Sequence, residues 1–117
     1  MSDTITLFHN PKCSKSRATL QLLQENGIEP LIIEYLVTPP TAGEIEDILG
    51  KLGKEPRDLM RKNEQPYADR KLNNEKLERS ELIAAIVENP ILMERPIVLA
   101  NDKAAIGRPP EQVLEIL

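Results

Sequence analysis

Between Thr4 and Tyr35 the chain spells strand, helix and strand within about 30 residues, and that opening narrows the folds available to it. Residues 4–8 (TITLF) are a short β-rich run that ends in a polar turn, His9-Asn10-Pro11. Residues 14–26 are rich in helix formers, and Gly27 stands where a helix C-cap belongs. Pro30 introduces a second apolar run of strand length, residues 31–35 (LIIEY). Two strands joined by a helix pair in parallel through a right-handed crossover, so a sheet with a helix against it is expected.

Pro39 and Pro40 close that unit. Thr41 followed by Glu44 is a capping box, and Ile45, Ile48, Leu49 and Leu52 follow at helical spacing up to Gly53. Residues 54–79 are charged and irregular, with room for two short helical turns. Ser80 is then expected to cap a helix whose apolar face is Leu82, Ile83, Ile86 and Val87, ended by Pro90. Residues 96–100 (PIVLA) and 103–106 (KAAI) flank Asn101-Asp102, a two-residue hairpin turn. Pro109 and Pro110 suit the start of a last helix with Val113, Leu114 and Leu117 facing inward.

The order is therefore β-α-β, a helical insert at about 41–90, then β-β-α, within one domain of 117 residues. A parallel pair joined to an antiparallel hairpin predicts an α/β fold: a four-stranded mixed sheet with helices on its faces, as in thioredoxin-like proteins. Aromatics are confined to Phe8, Tyr35 and Tyr67, so Leu, Ile, Val and Ala must build the core. A net charge of -4 gives no general attraction for nucleic acid or an anionic membrane, so any anion site has to be a local cluster of cations. No apolar run reaches a membrane span, and the start (MSDTITLF) lacks the parts of a signal peptide. The expectation is a cytoplasmic protein that binds neither nucleic acid nor membrane.

The only cysteine and the only histidine share one stretch, residues 9–17 (HNPKCSKSR). A lone cysteine excludes an internal disulfide and a cysteine-based metal cage, and leaves an inert thiol or a nucleophile. Position favours the nucleophile. Cys13 sits at the mouth of the first helix, off any apolar stripe, where unpaired amides and the helix dipole favour a thiolate. Lys12, Lys15 and Arg17 add positive charge nearby. Such settings lower a cysteine pKa from about 8.5 to roughly 3.5–7.5.

The residue three after Cys13 is Ser16, so this is not a Cys-x-x-Cys dithiol, and the resolving thiol has to come from outside. The spacing to Arg17 is Cys-x3-Arg, unlike the Cys-x5-Arg of a phosphatase loop. A protease-like pair with His9 lacks an identifiable Asn or Asp to orient it. His9 remains either a loop hydrogen-bonder or a participant.

Two later segments place an arginine before a proline: Arg95-Pro96 and Arg108-Pro109. The residue before proline is held extended, which fixes its side-chain direction at the edge of an element. Arg95-Pro96 opens the first hairpin strand, where thioredoxin-like proteins place a cis-proline beside the active-site loop, so Pro96 is a candidate cis residue. Arg61 lies in the charged insert. Converging on Cys13, these three arginines would cradle a small oxyanion with planar, bidentate forks.

Taken together and in order, the segments HNPKCSKSR, NGIEPLIIEYLVTPP, LMRKNE, ILMERPIVL and GRPPEQVLEIL resemble the glutaredoxin-type arsenate reductase family over nearly the whole chain. The resemblance implies a thioredoxin-like fold with Cys13 as nucleophile and Arg61, Arg95 and Arg108 as binders of the oxyanion's oxygens. It also implies His9 near the thiolate; Ser16 and Arg17, in the same stretch as Cys13, are expected to support the thiolate by their position. The chain departs from better-known members at Ser14-Lys15, which replaces a smaller pair after the cysteine in those members, and it stops at Leu117 without the C-terminal extension some members carry.

The function implied is reduction of arsenate to arsenite by one nucleophilic cysteine, with glutathione as co-substrate and glutaredoxin as the second external reductant. No bound cofactor or metal is expected, and a monomer is expected. Two other readings stay open: a thiol transferase or reductase acting on another oxyanion, and a non-catalytic regulator that binds RNA polymerase. Regulators of that kind commonly carry Cys-x-x-Cys, and Ser16 stands against it here.

Overall fold

Four strands carry the site. In this computed structural model, which describes residues 4–117, β1 (Thr6–His9) runs parallel to β2 (Leu31–Glu34) and antiparallel to β3 (Ile97–Ala100). β4 (Lys103–Ile106) completes the order β2-β1-β3-β4 as an antiparallel hairpin with β3. Residues 1–3, part of the N-terminal stretch read for a targeting signal, lie outside the described residues. The α/β, thioredoxin-like arrangement expected from the element order is the one adopted.

The chain divides into two compact units, Met1–Thr38 with Arg95–Leu117, and Pro39–Glu94. In the first, Leu7 and Val98 are paired across β1 and β3 and face the same way. They pack with Leu23 of α1 (Ser14–Glu25) and with Val113 and Ile116 of a closing 3-10 segment, Pro110–Ile116. Helix α1 ends in a Schellman motif: Gly27 takes φ +75°, its amide donates to Gln24 O (3.0 Å), and the Ile28 amide donates to Leu23 O (2.9 Å). Asn101 and Asp102 both take positive φ (53° and 61°), as a tight I′-like hairpin turn requires.

In the second unit, α2 (Ala42–Leu52) starts on the Thr41–Glu44 capping box and ends at Gly53 in the left-handed region (φ +67°). It buries Ile45, Ile48 and Leu49 and packs against α4 (Arg79–Glu88). A 3-10 turn, Pro56–Leu59, and the short α3 (Gln65–Asp69) occupy the charged stretch. The Arg79 guanidinium ties the unit's surface together, with Glu46 at 2.6 Å and Glu55 at 3.0 Å.

Several expected boundaries move. β1 and β3 each begin one or two residues later than predicted, and β2 ends at Glu34, leaving Tyr35 beyond the ladder. Helix α4 is capped by Glu78 and not by Ser80, because the Glu81 carboxylate accepts the Glu78 amide at 3.0 Å and Ser80 already lies inside the first turn. Ala85, not Val87, completes its buried face. The last segment is a 3-10 helix, whose tighter winding turns Ile116 inward and leaves Leu114 and Leu117 exposed.

Candidate functional site

The loop between β1 and α1 is held by its own polar groups. The Asn10 carboxamide oxygen accepts the Lys12 amide (3.0 Å), and the Cys13 amide donates to Asn10 O (3.0 Å). That folds Pro11 and Lys12 into a turn and delivers Cys13 to the N-cap of α1 in extended conformation (φ -94°, ψ 124°). From there the Cys13 carbonyl accepts the first helical hydrogen bond, from the Arg17 amide (3.0 Å). The sulfur is half-buried.

Ser16 fixes the other side of the loop. Its fully buried hydroxyl accepts the Asn10 amide (3.0 Å) and sits 2.6 Å from His9 Nδ1. His9 is itself only 6% exposed, so His9, Ser16 and Asn10 form a buried clasp that locks strand end to helix start. Burial lowers the His9 pKa below its ordinary value and the Arg17 charge adds to this, while the Glu34 carboxylate pulls the other way. The ring is therefore neutral at neutral pH. The Arg17 guanidinium donates to the Pro11 carbonyl (3.0 Å), bracing the same turn from outside.

Burial raises the Cys13 thiol, but the Ser16 amide, the Arg95 side chain and the Lys15 amide together outweigh it, and the net pKa lies below the ordinary thiol value. No formal side-chain cap is made by the sulfur, so these amides act on it as oriented dipoles at the helix start. Arg108 Nη2 approaches the sulfur at 3.8 Å, while its Nε donates to the Arg95 carbonyl at 2.8 Å. One arginine thus faces the thiol and also ties together the segments that carry both.

The two Arg-Pro steps lie on adjacent strand ends. Arg95–Pro96 is cis, and so is Arg108–Pro109, which the sequence reading did not anticipate. The Gly107 amide donates to Pro96 O (2.9 Å), extending the β3–β4 pairing to the arginines. Gly107 allows a close approach here: a Cβ on it would lie 2.5 Å from Thr19 Oγ1 and 2.8 Å from Pro96 Cγ. Helix α1 and the hairpin can therefore meet side by side, with Cys13, Arg95 and Arg108 at one end.

Arg61 belongs to the second unit. Its amide donates to Leu92 O (2.6 Å), and its Nε lies 3.5 Å from a Glu64 carboxylate oxygen. Its Nη1 is buried with no hydrogen-bond partner among the described residues. Beside the cysteine loop lies a cleft of about 260 Å³, with Lys12, Glu34, Leu36 and Val37 among its lining residues. Among the described residues, no group of three or more His, Cys, Asp or Glu side chains is placed to hold a metal ion. No helix there is long and apolar enough to cross a membrane.

Sequence reading missed Asn10, Gly107 and Tyr35 at this end of the sheet. Asn10 had a signal, since Asn before Pro-Lys favours an Asx turn. Gly107 carried only the hint of a glycine directly before Arg-Pro. Tyr35 is one step past the last β1–β2 pair, His9 with Glu34, so the parallel register sets it beside Asn10.

The ArsC family profile matches residues 8–116. An uncharacterized protein of Escherichia coli (strain K12), YfgD, is 53% identical over 118 aligned residues, covering 100% of this chain and 99% of that one. An arsenate reductase of Neisseria meningitidis serogroup A is 49% identical, with 97% of each chain covered. Among solved structures, an arsenate reductase from Vibrio cholerae superposes with a TM-score of 0.96 at 47% identity, covering both chains completely.

Proposed function

The chain belongs to the ArsC family, and on that premise we propose that it reduces arsenate to arsenite through Cys13, using glutathione and glutaredoxin as external thiols. The observation that carries the proposal is the pairing of a thiol of lowered pKa with two guanidinium groups, Arg95 acting on the sulfur and Arg108 at 3.8 Å. A thiolate alone would repel an oxyanion. Flanked by two fixed cations, it can be approached by one. Relatives named arsenate reductase support the choice of arsenate.

In the proposed sequence, the Cys13 thiolate attacks arsenic(V), forming an S–As bond as one oxygen leaves as water. A glutathione thiolate then attacks the Cys13 sulfur. The S–S bond forms, the S–As bond breaks, and its electron pair stays on arsenic, which departs as arsenite. Two thiols have supplied two electrons, and Cys13 is left as a mixed disulfide with glutathione. A glutaredoxin thiolate takes up the glutathionyl group and restores the Cys13 thiolate.

In this scheme the oxyanion's oxygens are bound by Arg95 and Arg108, and the family resemblance gives Arg61 the same task. His9, Ser16 and Arg17 keep the loop in shape. No bound cofactor is required. A free nucleophilic thiol needs a reducing compartment, so the cytoplasm is the proposed location, and one chain carries a single complete set of these residues.

The test is arsenite formation by purified protein supplied with arsenate, glutathione and glutaredoxin. Cys13→Ser should abolish it, and Arg108→Ala should raise the KM for arsenate by about tenfold, the loss of one charge-assisted contact. Turnover of a glutathionylated substrate in place of arsenate would move the protein to the thiol transferases. No turnover of either, with recovery of RNA polymerase subunits, would make it a regulator.

A further inference from the structure

Among the described residues Tyr35 is the largest fully buried side chain (0% exposed), yet no partner there meets its hydroxyl with full hydrogen-bond geometry. Leaving a buried hydroxyl unsatisfied costs about 1–3 kcal/mol, and phenylalanine would fill the same volume without that cost. The polar atom needs a reason to be there. Its surroundings supply one: the Arg95 and Asn10 side chains lie within hydrogen-bonding reach of the phenol, and the Arg95 and Cys13 charges both act on it. Burial raises its pKa, so the phenol stays protonated.

The hydroxyl oxygen is closed to solvent, so no ligand oxygen reaches it as the site stands. Direct contact with an oxyanion is therefore excluded, and action through a neighbour remains. The parallel register sets Tyr35 next to Asn10, whose carboxamide shapes the cysteine turn. On its other side stands Arg95, whose guanidinium stabilises the Cys13 thiolate. A phenol oxygen offers lone pairs to a guanidinium N–H and a proton to a carboxamide oxygen.

We infer that Tyr35 is a positioning residue: its buried hydroxyl backs the Arg95 guanidinium and keeps it turned toward the Cys13 sulfur and the oxyanion that sulfur attacks. The inference rests on Cys13 being the nucleophile of the proposed reaction, but it can be read without arsenate. Besides Tyr35, the groups facing the sulfur are Arg95 ahead of β3, Arg108 after β4, and the Lys15 and Ser16 amides of α1. Of these groups, Arg95 lies within reach of the phenol.

The experiment is the rate of Cys13 alkylation by iodoacetamide against pH in wild type, Tyr35→Phe, Arg95→Gln and the double variant. Tyr35→Phe should fold with a melting temperature close to that of wild type, since the ring that fills the core remains. The alkylation midpoint should nonetheless rise by about half a pH unit, with about threefold less thiolate below it. In the Arg95→Gln background the same substitution should produce no further shift. An unchanged midpoint in folded Tyr35→Phe overturns the inference, as does an equal shift with and without Arg95. Because the readout is alkylation, an absence of arsenate turnover would defeat the proposed function and leave this inference standing or falling on its own result.

Discussion

His9 illustrates how one residue can be conspicuous in sequence and modest in chemistry. As the only histidine, four residues from the only cysteine, it invites a role as general base. Its Nδ1 is instead committed to the Ser16 hydroxyl, the ring is buried, and its pKa is lowered. A base whose pKa is lower folded than unfolded binds fewer protons in the native state, so its contribution is intact above its unfolded pKa. That contribution is lost as pH falls from about 6.5 toward the lower folded value. The stability gap between wild type and His9→Gln, read from urea melts, should therefore shrink between pH 7 and pH 5. A gap that stays constant or widens over that interval would show that His9 is not buried neutral.

At the scale of elements, the site depends on how closely α1 and the β3–β4 hairpin approach, and Gly107 sets that distance. Gly107→Ala should destabilise the protein by about 1–3 kcal/mol, because Thr19 on α1 and the Pro96 ring would both have to move. Since Pro96 and Arg108 flank that contact, thiol alkylation should slow as well. Denaturant melts showing no loss would mean that the hairpin yields freely there. Elements defined by local chemistry were legible in the sequence: the Thr41–Glu44 box, the Gly27 and Gly53 termini and the Asn101-Asp102 turn each depend on a few adjacent residues. The boundary of α4 was less so, because Glu78 and Ser80 both suit a cap and only the Glu81 contact decides between them. Beyond the arginines expected at Cys13, contacts between distant segments were hidden. Neither the fit of Gly107 against Thr19 nor the placing of Tyr35 beside Arg95 has a local pattern.

For the whole molecule, the four-stranded mixed sheet followed from counting elements, since β-α-β and a terminal hairpin leave few ways to close one sheet, while its order β2-β1-β3-β4 came from the structure. The site was legible in its chemistry more than in its geometry. A lone cysteine at a helix start announces a thiolate in need of a partner, and the structure sets against it Arg95 and Arg108, which their Arg-Pro steps had already singled out from more than eighty positions away. In the proposed reaction Cys13 supplies one of the two thiols and an outside molecule the other. Intact-mass spectrometry of the protein after incubation with arsenate and glutathione, glutaredoxin withheld, reads that division of labour. One glutathionyl group should appear per chain, on Cys13, only when arsenate is present, and disappear when glutaredoxin is added. No adduct, or one formed equally without arsenate, would contradict it.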